Sequence, residues 1–348
     1  MYFQRLFSSG VISAALWTVC TAVQAATFSI HPLVSDNPVA VPAPVTDARL
    51  VNAWGLSYAP GGPFWLSATD SGVSTVYKVN PNTQATSVSP IYATIPGDGS
   101  ATGQVYLSAG REFKRNIFFF VSEDGTVSGW RPALGSVAEV IVPASADAVY
   151  KGVAGAVLGG HAYLYAANFR SGAIDVIRSN RRVPRPTGDF SDPTLPAGYA
   201  PFNVQRLGDA LYVSYAVQDV DKKDEVAGPG LGIVNRFDLQ GQLLGRVATG
   251  GALNAPWGLA IAPSSFGPWA GALLVGNFGD GRINAYDATT NAWLGTVNGG
   301  DGQPLVIDGL WALSPGGGGQ GGSTSLLYFT AGPNGETHGL FGVLTPNP

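Results

Sequence analysis

This chain repeats itself, and the repeat limits its possible folds more than any other property. "NAWGLSYAP" at 52–60 returns as "NAPWGLAIAP" at 254–263, and "ATGQVYLSAG", "YKGVAGAVLGG", "APFNVQRLGD" and "IDGLWALSP" complete the series. A glycine or an aromatic marks each head, at Gly55, Gly103, Gly152, Phe202, Gly258 and Gly309, giving intervals of 48, 49, 50, 56 and 51 residues. A period near fifty, repeated along the chain, marks a propeller or a solenoid rather than a two-domain enzyme.

The residues after each head select the propeller. "FWLSATDSGVSTVYKV", "IFFFVSEDGTVSGW", "YLYAANFRSGAIDVI", "LLVGNFGDGRINAYD" and "LLYFTAGPNGETHGLFGV" each place two runs of β-branched and aromatic residues around a turn of Gly, Asn or Asp. Such runs are β-hairpins. Most units add a fourth alternating run, such as "AEVIV" at 138–142, "LLGRVA" at 243–248 or "AWLGTV" at 292–297. The expectation is an all-β, six-bladed β-propeller of four-stranded antiparallel blades, a single domain over 26–348. The heads are the innermost strands, with glycine where neighbouring backbones crowd the axis, and the tryptophans are expected between adjacent blades. The last unit ends at Leu344 after three strands, whereas "TFSIHPLV" at 27–34 is an unpaired strand before the first head. Pairing the N-terminal strand with 339–343 completes blade six and removes an open edge.

Residues 1–25 read differently. Arg5 without any acid, an apolar run to Val23, and the small residues Val23 and Ala25 describe a secretory signal peptide cut after Ala25. The expected location is therefore secreted or periplasmic. Cys20 is the only cysteine and falls inside this leader, so the remaining chain offers no thiol, disulfide or cysteine-based metal site. A lipoprotein reading fits poorly, because Val19 and Trp17 do not match a small-residue lipobox. No other apolar run approaches the ~18–20 residues of a transmembrane helix. The formal net charge is -4, and "RSNRRVPR" at 178–185 is the sole basic cluster, so a nucleic-acid partner is disfavoured.

The phrases "LVSDNP", "LVNAWGL", "ATGQV", "SEDGTVSGW", "KGVAGA", "ANFRSGAIDV", "APFNVQ", "KKDEVAGPGLG", "NAPWGLAIAP", "VGNFGDGRI" and "GLWAL" span nearly the whole chain after the leader. In these the chain resembles a family of secreted bacterial six-bladed propellers of unassigned function. That family is similar at a distance to NHL-repeat and SMP-30-like propellers, and some of its members carry a PEP-CTERM signal. The resemblance implies the fold and brings no activity with it. The chain differs from PEP-CTERM members in stopping at "VLTPNP" without an apolar span and basic tail.

In an up-and-down blade the start of the inner strand and the turn between strands two and three share one face. The heads bring Asn52, Thr102, Lys151, Asn203, Asn254 and Asp308 to that face, and the turns bring Asp70, Glu123, Asp124, Asn168, Asp219, Asn277 and Asn334. A polar funnel ringed by aromatics such as Phe169 and Phe278 is where propellers hold ligands. The ligand-binding candidates are Asn52, Trp54, Asn168, Phe169, Asn203, Asn254, Asn277 and Asp308. The competing explanation is that Asn and Asp form turns by accepting backbone hydrogen bonds. Blade four inserts "VQDVDKKDEVAGPGL" at 217–231, the densest charge cluster of the chain, as a lid whose Asp219, Asp221, Asp224 and Glu225 are opposed as Ca²⁺ ligands by Lys222 and Lys223.

Of the three histidines, His31 falls on the closing strand, His161 on the opposite face, and His338, beside Glu336, on the funnel face. No G-x-S-x-G, H-E-x-x-H or phosphate-cradling Gly-Lys motif is present. Two functions therefore stand side by side. One is an exported binding or assembly module taking a small polar ligand, a glycan or an envelope protein. The other is a metal-dependent hydrolase or lactonase of SMP-30-like type, with a divalent ion such as Ca²⁺ held by Glu123, Asn168, Asn254 and Asp308.

Overall fold

The computed structural model of the protein describes Met1 and residues 26–347; the expected leader, its cleavage point and Cys20 lie outside the described residues. Six antiparallel sheets follow one another along the chain. Blade one consists of Ala53–Ser57, Phe64–Ala68, Val73–Val79 and Thr86–Val88. Blade two consists of Ala101–Tyr106, Phe118–Ser122, Val127–Trp130 and Glu139–Val142. Blade four runs through Tyr199–Leu207, Ala210–Gln218, Ile233–Asp238 and Leu243–Thr249, and blade five through Pro256–Ile261, Leu273–Asn277, Ile283–Tyr286 and Trp293–Thr296. Each inner strand packs on that of the next blade, and Leu310–Pro315 of blade six packs back on Ala53–Ser57, so the ring is closed.

Closure occurs as the unpaired N-terminal run predicts. Thr27–Ser35 lies antiparallel to Leu340–Pro346, with Phe28 opposite Pro346 and Ser35 opposite Leu340, outside Leu327–Ala331 and Leu310–Pro315. Helix among the described residues is confined to short 3-10 turns such as Thr69–Ser71 and Pro132–Leu134.

The second strand of a blade reads as a continuous apolar run because it is covered on both faces: Phe64–Ala68, Phe118–Ser122, Leu273–Asn277 and Leu327–Ala331 are buried at every position. Six apolar layers fill the spaces between adjacent blades, one of them built on Trp65, Phe118 and Trp130 between blades one and two. A seventh cluster sits at the axis. Outer strands lack a covering blade edge, and Leu243, Leu244 and Trp293 are exposed there.

Three details depart from the sequence-based expectation. Blade three has three strands, Tyr150–Leu158, His161–Asn168 and Ala173–Arg178. The next segment carries Pro184, Pro186, Pro193 and Pro196, which cannot donate to a ladder. Instead it crosses to blade four, where Gly188 N and Phe190 N donate to Gln240 O and Gly241 O. The sixth head is centred on Trp311 rather than Gly309, which has a φ of 64° and precedes the strand. Finally, Trp54 and Trp257 lie at the axis, not between blades.

Candidate functional site at the top of the axis

All six inner strands carry the same irregularity. Pairing with the second strand shifts register between Ala53 and Leu56, Ala101 and Gln104, Tyr150 and Gly152, Pro201 and Asn203, Pro256 and Gly258, and Leu310 and Leu313. A bulge re-aims one side chain out of the sheet. The residues in these bulges include Trp54, Thr102, Lys151, Phe202, Trp257 and Trp311, one from each blade. Trp54 stacks on Trp311 with ring centroids 3.6 Å apart, Trp257 meets Trp311 edge-on at 5.7 Å, and Phe202 lies 6.0 Å from Trp311. Side chains from four blades meet in this way only at the centre of the ring, so the axis is plugged by aromatic rings.

The glycine next to the bulged residue is required by that convergence. A Cβ on Gly55 would stand 2.5 Å from Thr102 O, one on Gly103 2.6 Å from the Gly152 Cα, and one on Gly258 2.7 Å from Trp311 O. Below the plug Gln104 Nε2 donates to Gly55 O at 3.2 Å and Asn203 Nδ2 to Trp257 O at 2.8 Å. The space left there is about 10 Å³, room for one water at most.

Lys151 is the one charged member of the bulge set, and it is 1% exposed. Its ammonium lies 5.2 Å from the Trp54 ring centroid and pairs with the Glu123 carboxylate from the blade-two turn. It also lies 3.1 Å from Asp224 Oδ1 of the blade-four insertion. Burial works to lower the lysine pKa, but Glu123, Glu225 and Asp224 outweigh it and hold the group above its ordinary value, so it is a fixed cation. Glu336 accepts a 2.9 Å hydrogen bond from Asn52 Nδ2.

This gathers a collar of five carboxylates, Asp70, Glu123, Asp224, Glu225 and Glu336, around two ammonium groups, Lys151 and Lys223. Negative charge is in excess. Burial, with Glu336 and Asp224 as like charges, pushes the Glu225 carboxyl up to about 7. Burial and the charges of Asp70 and Glu123 raise Glu336, and burial with Glu123 raises Asp70.

The 217–231 insertion reaches over the axis. Glu225–Val226 pairs with Val217–Gln218, while Lys223 Nζ comes within 3.8 Å of Glu123. Its far end is tied down where Asn254 Oδ1 accepts from Gly228 N at 2.7 Å. Beside it a recess of about 280 Å³ opens outward, lined by Asp98, Glu123, Asp124, Ser145, Arg170 and Lys223 among others.

The candidate residues of the sequence fall into separate roles. Asn52 is a junction: Oδ1 accepts from Trp54 Nε1 at 2.9 Å and Trp311 Nε1 at 3.2 Å while its amide holds Glu336. Trp54 and Phe169 are buried beneath Lys151. Asn168 Nδ2 donates to Asp175 at 2.9 Å and its Oδ1 accepts from Val149 N and Ser171 N, the work of a turn residue. Asn203 lies below the plug. Asn277 donates to Ala252 O and Asp280, and Asp308, exposed, accepts from Asn334 N at 2.8 Å. Glu123, Asn168, Asn254 and Asp308 each have their own hydrogen-bond partners and share none. Among the described residues no group of three or more His, Cys, Asp or Glu is arranged to hold a metal ion.

His338 pairs with Asp36 at 2.9 Å and His161 with Glu112 at 3.0 Å. Sequence reasoning brings Lys151 and Glu336 to this face and Glu225 to the lid over it, but it does not group them, and it misses Trp311. The one signal that points to them is the unaccompanied charge in "VYKGVAGAV" at a head.

The fold and site define a six-bladed β-propeller with a sealed axis and a charged collar on one face. No family model matches the sequence. The chain is 32% identical over 337 residues to the uncharacterized protein R648 of Acanthamoeba polyphaga mimivirus, an alignment covering 91% of this chain and 80% of R648. It belongs to the same protein family as R648. This relative is viral, so the resemblance to secreted bacterial proteins with PEP-CTERM signals gains no support from it. Among solved structures, virginiamycin B lyase from Staphylococcus aureus is similar with a TM-score of 0.51 at 12% identity, covering 91% of this chain and 99% of that one. The PQQ-bound aldose sugar dehydrogenase from Streptomyces coelicolor gives 0.50 at 15% identity, covering 92% and 99%. At these identities the likeness is one of fold, and one fold serves many chemistries.

Proposed function

We propose that this protein is an exported binding module that takes a small polar ligand bearing an amine, such as an amino sugar of a glycan, at the top face beside the axis. The observation that carries the reading is the collar's excess of carboxylates over the ammonium groups of Lys151 and Lys223, with Glu123 standing at the edge of the 280 Å³ recess. A carboxylate whose charge is disfavoured by burial and like neighbours gains most when a cation arrives. Binding is favoured over metal-dependent hydrolysis because Glu123, Asn168, Asn254 and Asp308 are each held by separate hydrogen-bond partners and do not converge on one point. Export is supported by the leader-like residues 1–25 and by a first strand starting at Thr27, so that a cut after Ala25 leaves blade six complete.

Calorimetric titration with glucosamine, spermidine and glucose tests this reading. Glucosamine or spermidine should bind, glucose should not, and Glu123→Gln should weaken binding about tenfold, the ~1.4 kcal/mol scale of a charge-assisted contact. Equal binding of glucose, or binding of none of the three, would overturn it. A stoichiometric divalent metal that is stripped together with a lactone-hydrolysing activity would establish the hydrolase instead.

A further inference from the structure

Among the described residues blade three is the one sheet of the ring that stops at three strands. Its outer strand, Ala173–Arg178, pairs with His161–Asn168 on one side, and among the described residues no backbone group of it has a hydrogen-bond partner on the other. Its two faces are not open. Val176 packs toward blade four and Ile177 toward blade two, both half-buried. What remains is an edge with apolar shoulders at the position where the neighbouring blades have a fourth strand. The chain does not fill it: after Arg178 the segment folds over the layer between blades three and four, where Val183 is buried and Val183 O and Pro184 O accept from Arg178 and Tyr163 side chains, and from Gly188 on it is fastened to blade four, where Asp192 pairs with Arg246. Proteins usually blunt such an edge, since unpaired N–H and C=O groups recruit another strand.

The second observation is charge. The largest basic cluster of a chain with net charge -4 leaves from the end of this strand. Arg181, Arg182 and Arg185 are exposed, and among the described residues none of their guanidinium groups meets a carboxylate. The acids nearby are engaged: Asp175 accepts from Tyr150 and Asn168, Glu112 from His161 and Ala162, and Asp192 pairs with Arg246. We propose that the open edge of Ala173–Arg178 docks an extended, acidic segment of a partner protein. That segment adds as the fourth strand of blade three, with its carboxylates on Arg181, Arg182 and Arg185. Main-chain pairing supplies the affinity in such strand addition, and the flanking side chains supply selectivity.

The probe is an acetylated peptide of about seven residues alternating valine with glutamate, with a copy carrying lysine for glutamate and with heparin as a polyanion lacking a peptide backbone. Fluorescence anisotropy should show saturable binding of the acidic peptide, at least ~tenfold weaker binding of the lysine copy, and weakening as salt is raised. Hydrogen exchange with the acidic peptide bound should slow at alternate amides of Ala173–Arg178. Arg181→Glu with Arg182→Glu and Arg185→Glu alters only exposed side chains, so this variant should keep the parent melting curve and lose the binding. Absence of binding, binding without slowed exchange in that strand, or a heparin complex alone would overturn the proposal.

Discussion

The two ends of the central axis are built from the same six strands and do opposite things. Below the bulges, Gly55, Gly103, Gly152 and Gly258 let backbones approach until almost no space remains, and the polar side chains present, Gln104 and Asn203, are spent on carbonyls of neighbouring blades. Above the bulges, Lys151 stands among carboxylates drawn from blades one, two, four and six, more of them than its charge can balance. The repeat itself thus makes a closed scaffold, while departures from it make the site: one lysine in a bulge otherwise filled by neutral groups, and one insertion in one blade.

The severest challenge to the scaffold is to remove its closure. Deleting Thr27 to Val34 takes Phe28, Leu33 and Val34 out of the core and leaves Leu340–Pro346 as an open edge. The deletion should abolish the cooperative thermal transition followed by circular dichroism; a melt like that of the parent would refute the closure. Trp311→Ala comes next, because the ring is fully buried between Trp54 and Phe278. Loss of such a ring should cost about 3–5 kcal/mol in denaturant unfolding.

Lys151→Met tests the collar. Without the ammonium, Glu123 and its neighbours repel one another at pH 8, for an expected loss of roughly 2–4 kcal/mol. The loss should shrink at pH 5, below the Glu225 pKa of about 7, where that carboxyl holds a proton and no longer adds to the repulsion. Adding Glu123→Gln should restore part of it. The smallest effect belongs to Glu225. Its folded-state pKa of about 7 lies above the ordinary 4.5, so the folded protein binds the extra proton between these values. The associated stability is present below pH 4.5 and lost as pH rises through 7. Glu225→Gln should therefore flatten this decline and melt a few degrees above the parent at pH 8; an unchanged pH profile would show that this carboxyl is not buried against its neighbours.

Most of the scaffold is legible in the sequence because propeller strands announce themselves locally. The six heads, the hairpin turns and the unpaired 27–34 run all follow from spacing and apolar pattern over short windows. Sequence and structure diverge where local pattern and three-dimensional register part. Spacing aligns the sixth head on Gly309, a turn glycine that precedes the strand, and the proline-rich stretch after Arg178 hides the absence of a strand. Spacing also leaves Trp54 and Trp257 at blade interfaces, because a bulge, which turns them to the axis, has no fixed signature.

The collar is harder still to read. Position along the repeat brings Asn52, Asn254 and Asp308 to the funnel face on the same footing as Lys151, whereas the electrostatics turn on Lys151, Glu225 and Glu336, which stand far apart in sequence and carry no motif. Asn168 behaves as its residue type suggests, as a turn former, and the reach of the 217–231 insertion over the axis follows from its length and charge.

Everything proposed for the top face depends on Lys151 clasping the blade-four insertion over the axis. Hydrogen exchange read residue by residue on the parent and on Lys151→Met is the decisive test. Amides from Asp219 to Val226 should be protected in the parent and lose at least ~tenfold protection in the variant, while the strands of blades one and five keep theirs. Unchanged protection across Asp219 to Val226 in a folded Lys151→Met protein would contradict the clasp.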